Sequence, residues 1–253
     1  MKLSHHDNMT SRQKPPEIFL SMPHPCSYLP GRTAMSLFLD PRQALDSQQY
    51  AEFVQLGFRR SGNLVYRPHC RECNACLPAR IPVDRFQPDR GQRRVWHRNQ
   101  DLTVIATPPR FDTEHFLLYQ RYQAVRHSGG GMDDPDPSKY IDFMSSKYID
   151  SVFYEFRLAD KLLGVAVTDI LPDGLSAMYT FFEPDENRRA LGVYAVLWQM
   201  AQARAQQRPW LYLGYWIREC AKMAYKGNYR PLEIFQQGHW IEANASGRNK
   251  PAP

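Results

Sequence analysis

The chain has 253 residues, of which 43% are hydrophobic and 13% aromatic, so it can bury one large core or two smaller ones. Its longest apolar run, at residues 162–167, is too short to cross a bilayer, and its polar N-terminus lacks the apolar stretch of a signal peptide. These features argue against a membrane-spanning or secreted protein and predict a cytoplasmic one.

The net charge of +6 is concentrated in one segment. Residues 67–98 hold eight arginines, no lysine and three acidic residues, which leaves a net charge of +5 there. Because arginine can bind phosphate through two parallel hydrogen bonds, this segment indicates contact with a nucleic acid. A solvated surface with ion pairs to acidic residues elsewhere would have the same composition.

The first half of the chain predicts short, mixed elements after a flexible leader at 1–16. A turn-rich segment leads into a strand within 24–41, and apolar residues at helical spacing predict a helix over 47–58. Further elements are a strand at 60–68, a helix that begins near 87–90 and a strand at 101–109. The two prolines that end this last strand mark a domain boundary, so we predict an N-terminal domain at 17–105.

The second half predicts longer elements. Helices are expected over 112–127, 188–206 and 217–227, and a loop follows the glycine run at 129–131. The expected strands are a hairpin at 151–171 and single strands at 175–184, 209–216 and 231–242. This order predicts an α+β fold with an acetyltransferase-like (GNAT) domain at 106–242 and a tail at 243–253. The smaller N-terminal domain would be α/β and would carry the cysteines.

Three of the five cysteines lie close together. Cys70, Cys73 and Cys76 follow a C-x2-C-x2-C spacing, which in a loop directs three thiolates to one centre, as in iron–sulfur sites. We expect Cys26 as the fourth ligand, with His69 as the alternative if the metal is zinc. The same residues could also be ordinary cysteines that bind no metal.

Four segments, taken together, resemble a known family. They are HPCSYLPGR (24–32), YRPHCRECNACLPARIPVDRFQPDRGQRR (66–94), YTFFEPDE (179–186) and YLGYWIRECAKMAYKGNYRPLE (212–233). The chain resembles the bacterial branch of the arginyl-tRNA–protein transferase family. In eukaryotic relatives the metal-responsive region has a CxxC and an adjacent cysteine pair, whereas here Leu29 replaces the second cysteine of the CxxC.

The resemblance implies a cytoplasmic enzyme of the N-end rule pathway that marks proteins for degradation. It would move leucine from leucyl-tRNA to the α-amine of a protein that begins with Asp or Glu. No cofactor would be required for the transfer, although an iron–sulfur cluster or zinc could lie at the cysteines. We expect a monomer that does not interact with membranes.

The implied reaction is the aminolysis of an ester. It needs positioning and an oxyanion donor more than a strong base, in keeping with the absence of a Ser-His-Asp signature. Acetyltransferase-like folds bring donor and amine together between two splayed strands, here AMYTFFE and WLYLGYW. The candidate hydroxyl donors are Tyr179, Tyr212 and Tyr215, and the candidate proton acceptors are Glu183 and Asp185. Any of these tyrosines could instead be a core aromatic residue.

The two substrates predict two basic sites. Lys222, Lys226 and Arg230 are spaced at i, i+4 and i+8, so one helix would align them to bind the acceptor's carboxylate, or they would form a solvent-facing basic helix end. The candidates for binding tRNA are Arg80, Arg90, Arg93, Arg94, Arg98 and Arg189. Three of these, Arg80, Arg93 and Arg94, could serve the acceptor pocket instead.

Three alternative functions remain open from the sequence. An acetyl-CoA-dependent N-acetyltransferase would account for the second half of the chain but not for its basic segment. A non-enzymatic, zinc-bearing RNA-binding protein would account for the first half only. Transfer of arginine in place of leucine would use the same mechanism, because no residue pattern reveals which amino acid is transferred.

Overall fold

A computed structural model describes residues 16–126 and 136–243. The glycine run at 129–131 lies outside these residues. The predicted leader also lies outside them except for residue 16, as does the predicted tail except for residue 243. Within the described part, no helix combines the length and the apolar character needed to cross a membrane.

The described residues form strands that belong to three sheets. In chain order they are β1 (Ile18–Leu20), β2 (His24–Pro25), β3 (Thr33–Ala34), β4 (Ser36–Leu39), β5 (Arg59–Ser61), β6 (Leu64–Pro68), β7 (Leu77–Pro82), β8 (Thr103–Thr107), β9 (Ser151–Leu158), β10 (Lys161–Leu171), β11 (Gly174–Phe182), β12 (Trp210–Trp216), β13 (Glu233–Gln236) and β14 (His239–Glu242).

A large mixed sheet of eight strands organises the chain, in the order β14-β13-β7-β12-β11-β10-β9-β8. All its neighbouring strands are antiparallel except β11 and β12, which run parallel. A smaller antiparallel sheet has the order β1-β4-β6-β5, and β2 pairs with β3. The predicted boundary at 105/106 falls within β8, so β7 and the first part of β8, which the prediction assigned to the N-terminal domain, lie in the large sheet.

Helices cover both faces of the large sheet. They are α1 (Ser47–Gln55), α2 (Arg90–Arg98), α3 (Thr113–Arg126), α4 (Pro137–Met144), α5 (Leu191–Ala205) and α6 (Ala221–Ala224). Asp46 and Asp89 cap the N-termini of α1 and α2 with capping boxes. In each box the aspartate side chain accepts a hydrogen bond from the main-chain N–H of the third helical residue, a glutamine, whose side chain accepts one from the main-chain N–H of the aspartate. Asp136 caps α4, and Pro137 fits its first turn because a proline there has no N–H to leave unpaired.

Alternation along β10 divides the core into two layers. Val165 and Val167 face α3 and α4, where they join a cluster that contains the fully buried Phe153 and Phe181. Ala166 faces α5 on the opposite side, together with Leu191 and Tyr194. Fully burying a large apolar side chain contributes about 1.5–3 kcal/mol, so both layers stabilise the sheet that positions the site.

A buried ion pair connects the small sheet to the large one. Arg60 of β5 donates to Asp169 of β10 at 2.5 Å, and neither side chain is exposed to solvent. Tyr50 and Ser151 also donate to this carboxylate, at 3.2 and 2.9 Å. The network fixes β5, and therefore the residue before Arg60, against the middle of the large sheet.

Most predicted elements of the second half are confirmed, with three differences. The strand expected at 231–242 is the hairpin β13–β14, because Gln237 and Gly238 have positive φ angles of 52° and 83° and form a turn. The helix expected at 217–227 is only α6, followed by a 3₁₀ turn at Tyr225–Asn228. Helix α4 was not predicted.

Candidate active site

The parallel strands β11 and β12 separate after a short paired segment. Their pairing ends at Ser176 and Tyr212, and the register of β12 against β7 then shifts at Gly214, which has a φ of 75°. Residues 177–182 and 213–216 therefore diverge and enclose what we call the strand cleft. The main-chain groups that line it lack a partner across the cleft and need other donors or acceptors.

Arg59 enters the strand cleft from the face of the sheet that carries α1. Its Nη2 donates to the carbonyl of Ala177 at 3.0 Å, and its guanidinium lies so close to Gly214 that a Cβ atom at that glycine would be 3.4 Å from Nε. The residue is only 8% exposed, and its buried Nη1 has no hydrogen-bond partner in the described ranges 16–126 and 136–243. Arg59 thus presents an unused donor inside the cleft.

Lys226 brings a second cation to the same place. Its Nζ donates to the carbonyl of Tyr215 at 2.7 Å, and the residue is 6% exposed. Burial, and then the positive charge of Arg59, lower the pKa of Lys226 to about 7. Within the described residues neither cation forms an ion pair with a carboxylate, so this part of the cleft carries uncompensated positive charge.

Aromatic and thiol side chains surround the two cations. The hydroxyl of Tyr215 lies 3.1 Å from the carbonyls of both Gly57 and Tyr66. Cys76 and Cys220 lie close enough to Lys226 to affect its pKa, and burial raises the pKa of the Cys76 thiol to about 12. Tyr215 and Cys76 are neutral near pH 7 and therefore do not balance the charge.

The five predicted catalytic side chains do not converge. Tyr212 donates to Asp173 at 2.7 Å, and the hydroxyl of Tyr215 is held by main-chain carbonyls. Glu183, one of the proposed bases, accepts a hydrogen bond from Nε of Arg121 at 3.1 Å. Asp185, the other proposed base, is exposed.

Tyr179 keeps a hydroxyl proton that it could donate. Its oxygen accepts from Nε2 of Gln123 at 3.2 Å, and burial raises its pKa well above the usual value. A neutral phenol that accepts one hydrogen bond can still donate another. Of the predicted hydroxyl donors, Tyr179 is therefore the one that can serve a substrate oxygen without giving up a hydrogen bond to another described residue.

The three cations predicted to bind the acceptor do not lie along one helix, because α6 is a single turn. Lys222 is exposed, and Arg230 donates to the carbonyl of Ala243 at 3.0 Å. Of the three, Lys226 reaches the strand cleft, where the positive charge of Arg59 contributes to lowering its pKa. Arg59 was not among the residues predicted from the sequence.

The basic helix α2 extends beside the strand cleft. Near its start, Gln92 donates to the carbonyl of Asn228 at 3.2 Å, within the 3₁₀ turn that holds Lys226. Just after its end, Asn99 donates to the carbonyl of Arg189 at 2.9 Å, in the segment that follows β11. Four of the predicted tRNA-binding residues are exposed along this helix: Arg90, Arg93, Arg94 and Arg98.

The other two predicted tRNA-binding arginines have partners within the protein. Arg80 is buried between the rings of Trp210 and Trp240 and is paired with Glu233 at 2.9 Å. Arg189 forms a two-point contact with Asp101, with both distances 2.9 Å. Both guanidiniums are paired with carboxylates in this arrangement, and their role in binding tRNA stays a prediction.

The cysteines do not form a metal site in the part of the chain that the structure describes. No group of three His, Cys, Asp or Glu side chains there is placed to hold an ion. The sulfur of Cys26 instead accepts from two N–H groups of its own turn, and that of Cys70 contacts a main-chain carbonyl. The expectation of an iron–sulfur cluster or zinc at Cys26, Cys70, Cys73 and Cys76 is therefore not supported.

Comparison with known proteins gives close relatives. Aspartate/glutamate leucyltransferase of Pseudomonas fluorescens (strain SBW25) is 51% identical over 228 residues, which cover 90% of this chain and 97% of the relative. The enzyme of the same name from Pseudomonas putida (strain W619) is 52% identical with the same coverage. Among solved structures, L-PGS from Bacillus licheniformis matches with a TM-score of 0.42 and 12% identity, over 66% of this chain and 49% of that one.

Two family models cover most of the chain. The model described as "Arginine-tRNA-protein transferase, N terminus" matches residues 24–94, and the model for the C terminus matches residues 114–236. The first match contains Arg59 and most of α2, and the second contains β11, β12 and Lys226. The strand cleft is thus built from both matched regions, and the chain belongs to the arginine-tRNA-protein transferase family.

Proposed function

We propose that this protein transfers leucine from leucyl-tRNA to the N-terminal α-amine of proteins that begin with Asp or Glu. Its curated relatives are named aspartate/glutamate leucyltransferase and are 51–52% identical to it. The observation in this chain that carries the proposal is the pair of buried cations, Arg59 and Lys226, in the strand cleft.

An acidic first residue would supply the charge that the cleft lacks. Removing a charged group from water costs several kcal/mol unless an opposite charge compensates for it. Nη1 of Arg59 has no partner in the part of the chain that the structure describes, and a bound carboxylate would give it a charge-assisted hydrogen bond. The same carboxylate would offset the repulsion between Arg59 and Lys226. A neutral or basic first residue would leave the cations unpaired, so the site would select its acceptor by charge.

The position of α2 supports a tRNA as the second substrate. Its exposed arginines run between the turn that holds Lys226 and the segment after β11. An RNA end bound along this helix would bring its terminal ester to the strand cleft. Because phosphate contacts position a nucleic acid without reading its sequence, this surface would accept the shared end of a tRNA.

The proposed reaction is an aminolysis in which positioning contributes most. The α-amine attacks the leucyl carbonyl, and negative charge develops on its oxygen. We assign the hydroxyl of Tyr179 as a donor to that oxygen, because its proton is not donated to any acceptor among the described residues. Parallel strands that separate beside helices on both faces also support an acetyltransferase-like (GNAT) architecture for this part of the chain.

The remaining parts of the proposal follow from the reaction. The tRNA brings leucine already activated as an ester, so the transfer needs no bound cofactor. We place the protein in the cytoplasm, where charged tRNA is available, and in the N-end rule pathway of protein degradation. It would act as a monomer, since one chain contributes both cations and α2.

The test mixes the protein with tRNA charged with radiolabelled leucine or arginine and with peptides that begin with Asp, Glu, Arg or Lys. We expect label on the Asp and Glu peptides, from leucyl-tRNA only. Label from arginyl-tRNA would favour the arginyl alternative. Binding of tRNA with no transfer to any peptide, or acetylation of the peptides by acetyl-CoA, would overturn the proposal.

A further inference from the structure

The two cations in the strand cleft are chemically unequal. Arginine keeps its charge in almost any environment, whereas a buried lysine readily loses its proton. Since Arg59 and Lys226 share a desolvated region without a carboxylate among the described residues, the repulsion between them falls on the lysine. The cleft thus holds one permanent cation next to one amine that can be neutral near pH 7.

The surroundings of Lys226 leave its nitrogen able to accept a proton. Its contacts are the carbonyl of Tyr215 at 2.7 Å, the sulfur of Met223 at 3.8 Å and the ring of Tyr225, whose centroid is 5.9 Å away. The titratable groups that act on it are Arg59 of β5 and two thiols, those of Cys76 before β7 and Cys220 before α6. None of these groups donates a hydrogen bond to the nitrogen within the described residues.

We infer that Lys226 is the catalytic base, which takes a proton from the α-ammonium of the acceptor, while Arg59 holds the acceptor's side-chain carboxylate. This inference rests on the proposed function and assigns separate roles to the two cations. Lys226 thus replaces the two carboxylates that were predicted as proton acceptors. Glu183 already accepts a hydrogen bond from Arg121, and Asp185 is exposed.

Protons and electrons balance through Lys226. Its neutral nitrogen takes one proton from the ammonium. The freed amine then forms the C–N bond, while the π-electron pair of the leucyl carbonyl moves to the carbonyl oxygen. When that pair returns, the ester C–O bond breaks and the ribose oxygen keeps the bonding electrons. The ribose oxygen receives the proton that Lys226 holds, and the extra proton on the new amide nitrogen then leaves to solvent through the neutral lysine.

The first experiment compares the wild type with Lys226→Arg, which keeps the positive charge but removes the base. With saturating leucyl-tRNA and an Asp peptide, we expect kcat to fall about 100-fold, the lower end of the range for general bases. The Kd for leucyl-tRNA should change by less than about twofold. A variant that keeps kcat within about threefold of the wild type would overturn the inference, because charge alone would then suffice.

The pH dependence separates a base from a structural lysine. In the wild type, kcat/KM for the peptide should rise through an inflection near pH 7, whereas Lys226→Arg should keep only the inflection of the peptide's α-amine at about 7.7–8.0. The control Lys147→Arg replaces an exposed lysine and should leave the wild-type profile unchanged. An identical profile in Lys226→Arg and the wild type would contradict the inference.

A second variant tests the inference even if Lys226→Arg folds poorly. Arg59→Met removes the neighbouring cation that lowers the pKa of Lys226, so the inflection near pH 7 should move to higher pH. An inflection that stays in place would overturn the inference. If the wild type transfers no leucine from leucyl-tRNA at all, the proposed function itself fails, which is a distinguishable result.

Discussion

Arg59 donates a hydrogen bond to the carbonyl of Ala177, the first residue of β11 beyond its pairing with β12. The guanidinium thus takes the place of the strand partner that is missing where the sheet opens. The same side chain keeps Nη1 without a hydrogen-bond partner among the described residues. One residue therefore stabilises the separated strands and offers a donor to whatever enters between them.

Replacement of Arg59 should remove the preference for acidic acceptors. We expect Arg59→Met to lower kcat/KM for Asp and Glu peptides by about 100-fold, since the loss of one partner of a buried charged pair costs about 2–5 kcal/mol. Transfer assays with Asp, Glu and Asn peptides would measure the change. Arg110→Met, at an exposed arginine, is the control. An unaltered ratio between Asp and Asn peptides in Arg59→Met would refute this assignment.

Removal of exposed arginines from α2 should weaken tRNA binding without affecting the acceptor. For the double variant Arg90→Ala/Arg94→Ala we expect Kd for tRNA to rise about tenfold at moderate salt. The slope of the logarithm of the association constant against log salt should become shallower by about 0.7–0.9 for each phosphate that is no longer bound. Filter binding over a range of salt concentrations measures both. The paired control is Arg110→Ala/Lys147→Ala, and equal effects in both proteins would exclude a specific role for α2.

Loss of one charge from the buried pair of Arg60 and Asp169 should lower the free energy of unfolding more than replacement of both charges by apolar side chains. Asp169→Leu leaves an uncompensated buried cation, so we expect the free energy of unfolding to fall by about 3–5 kcal/mol. The double variant Arg60→Met/Asp169→Leu should recover part of this loss, because no charge is then left unpaired. Urea denaturation of the double variant and of both single variants gives the coupling energy. Strictly additive losses would show that the two charges are not coupled.

Lys226→Met should increase stability while it removes activity. Because the folded-state pKa of Lys226 is about 7 and the unfolded value about 10.5, the unfolded chain binds more protons between these limits. Wild-type stability should therefore rise with pH in this window by at most about 1.4 kcal/mol per pH unit, and this contribution is lost as pH falls towards 7. The methionine variant lacks this dependence.

Urea denaturation at about pH 7, 8 and 9 measures the difference in the free energy of unfolding between Lys226→Met and the wild type. These pH values lie within the window set by the folded and unfolded pKa values of Lys226. The advantage of Lys226→Met over the wild type should be largest at the lowest pH and should shrink at each higher pH. A gap that stays constant across the series would mean that Lys226 keeps its charge in the folded protein.

Sequence periodicity predicts the middle of the large sheet well. Strands β9 to β12 are long or strongly apolar, and their alternation or apolar runs mark them before any tertiary contact is known. The hairpin β13–β14 was missed because its turn depends on Gln237 adopting a positive φ, for which glutamine has no particular preference. Its neighbour Gly238 was the available signal.

The site is harder to predict because its residues are distant in sequence. Lys226 stands out as a basic residue beyond a strand, but its burial depends on β12 and β5. Arg59 is adjacent to Arg60 in a short strand, where alternation sends the two side chains to opposite faces. The available signal was two consecutive arginines after Phe58 with no acidic residue nearby. Which of them has no carboxylate partner among the described residues follows only from the position of Asp169.

Strand β7 makes the two halves of this protein inseparable. It lies between β12 and β13, so a fragment that began after it would expose the edges of both strands to water. We therefore expect the later half, produced without β7, to fold poorly. Division of the chain after β7 would leave an incomplete large sheet in each fragment.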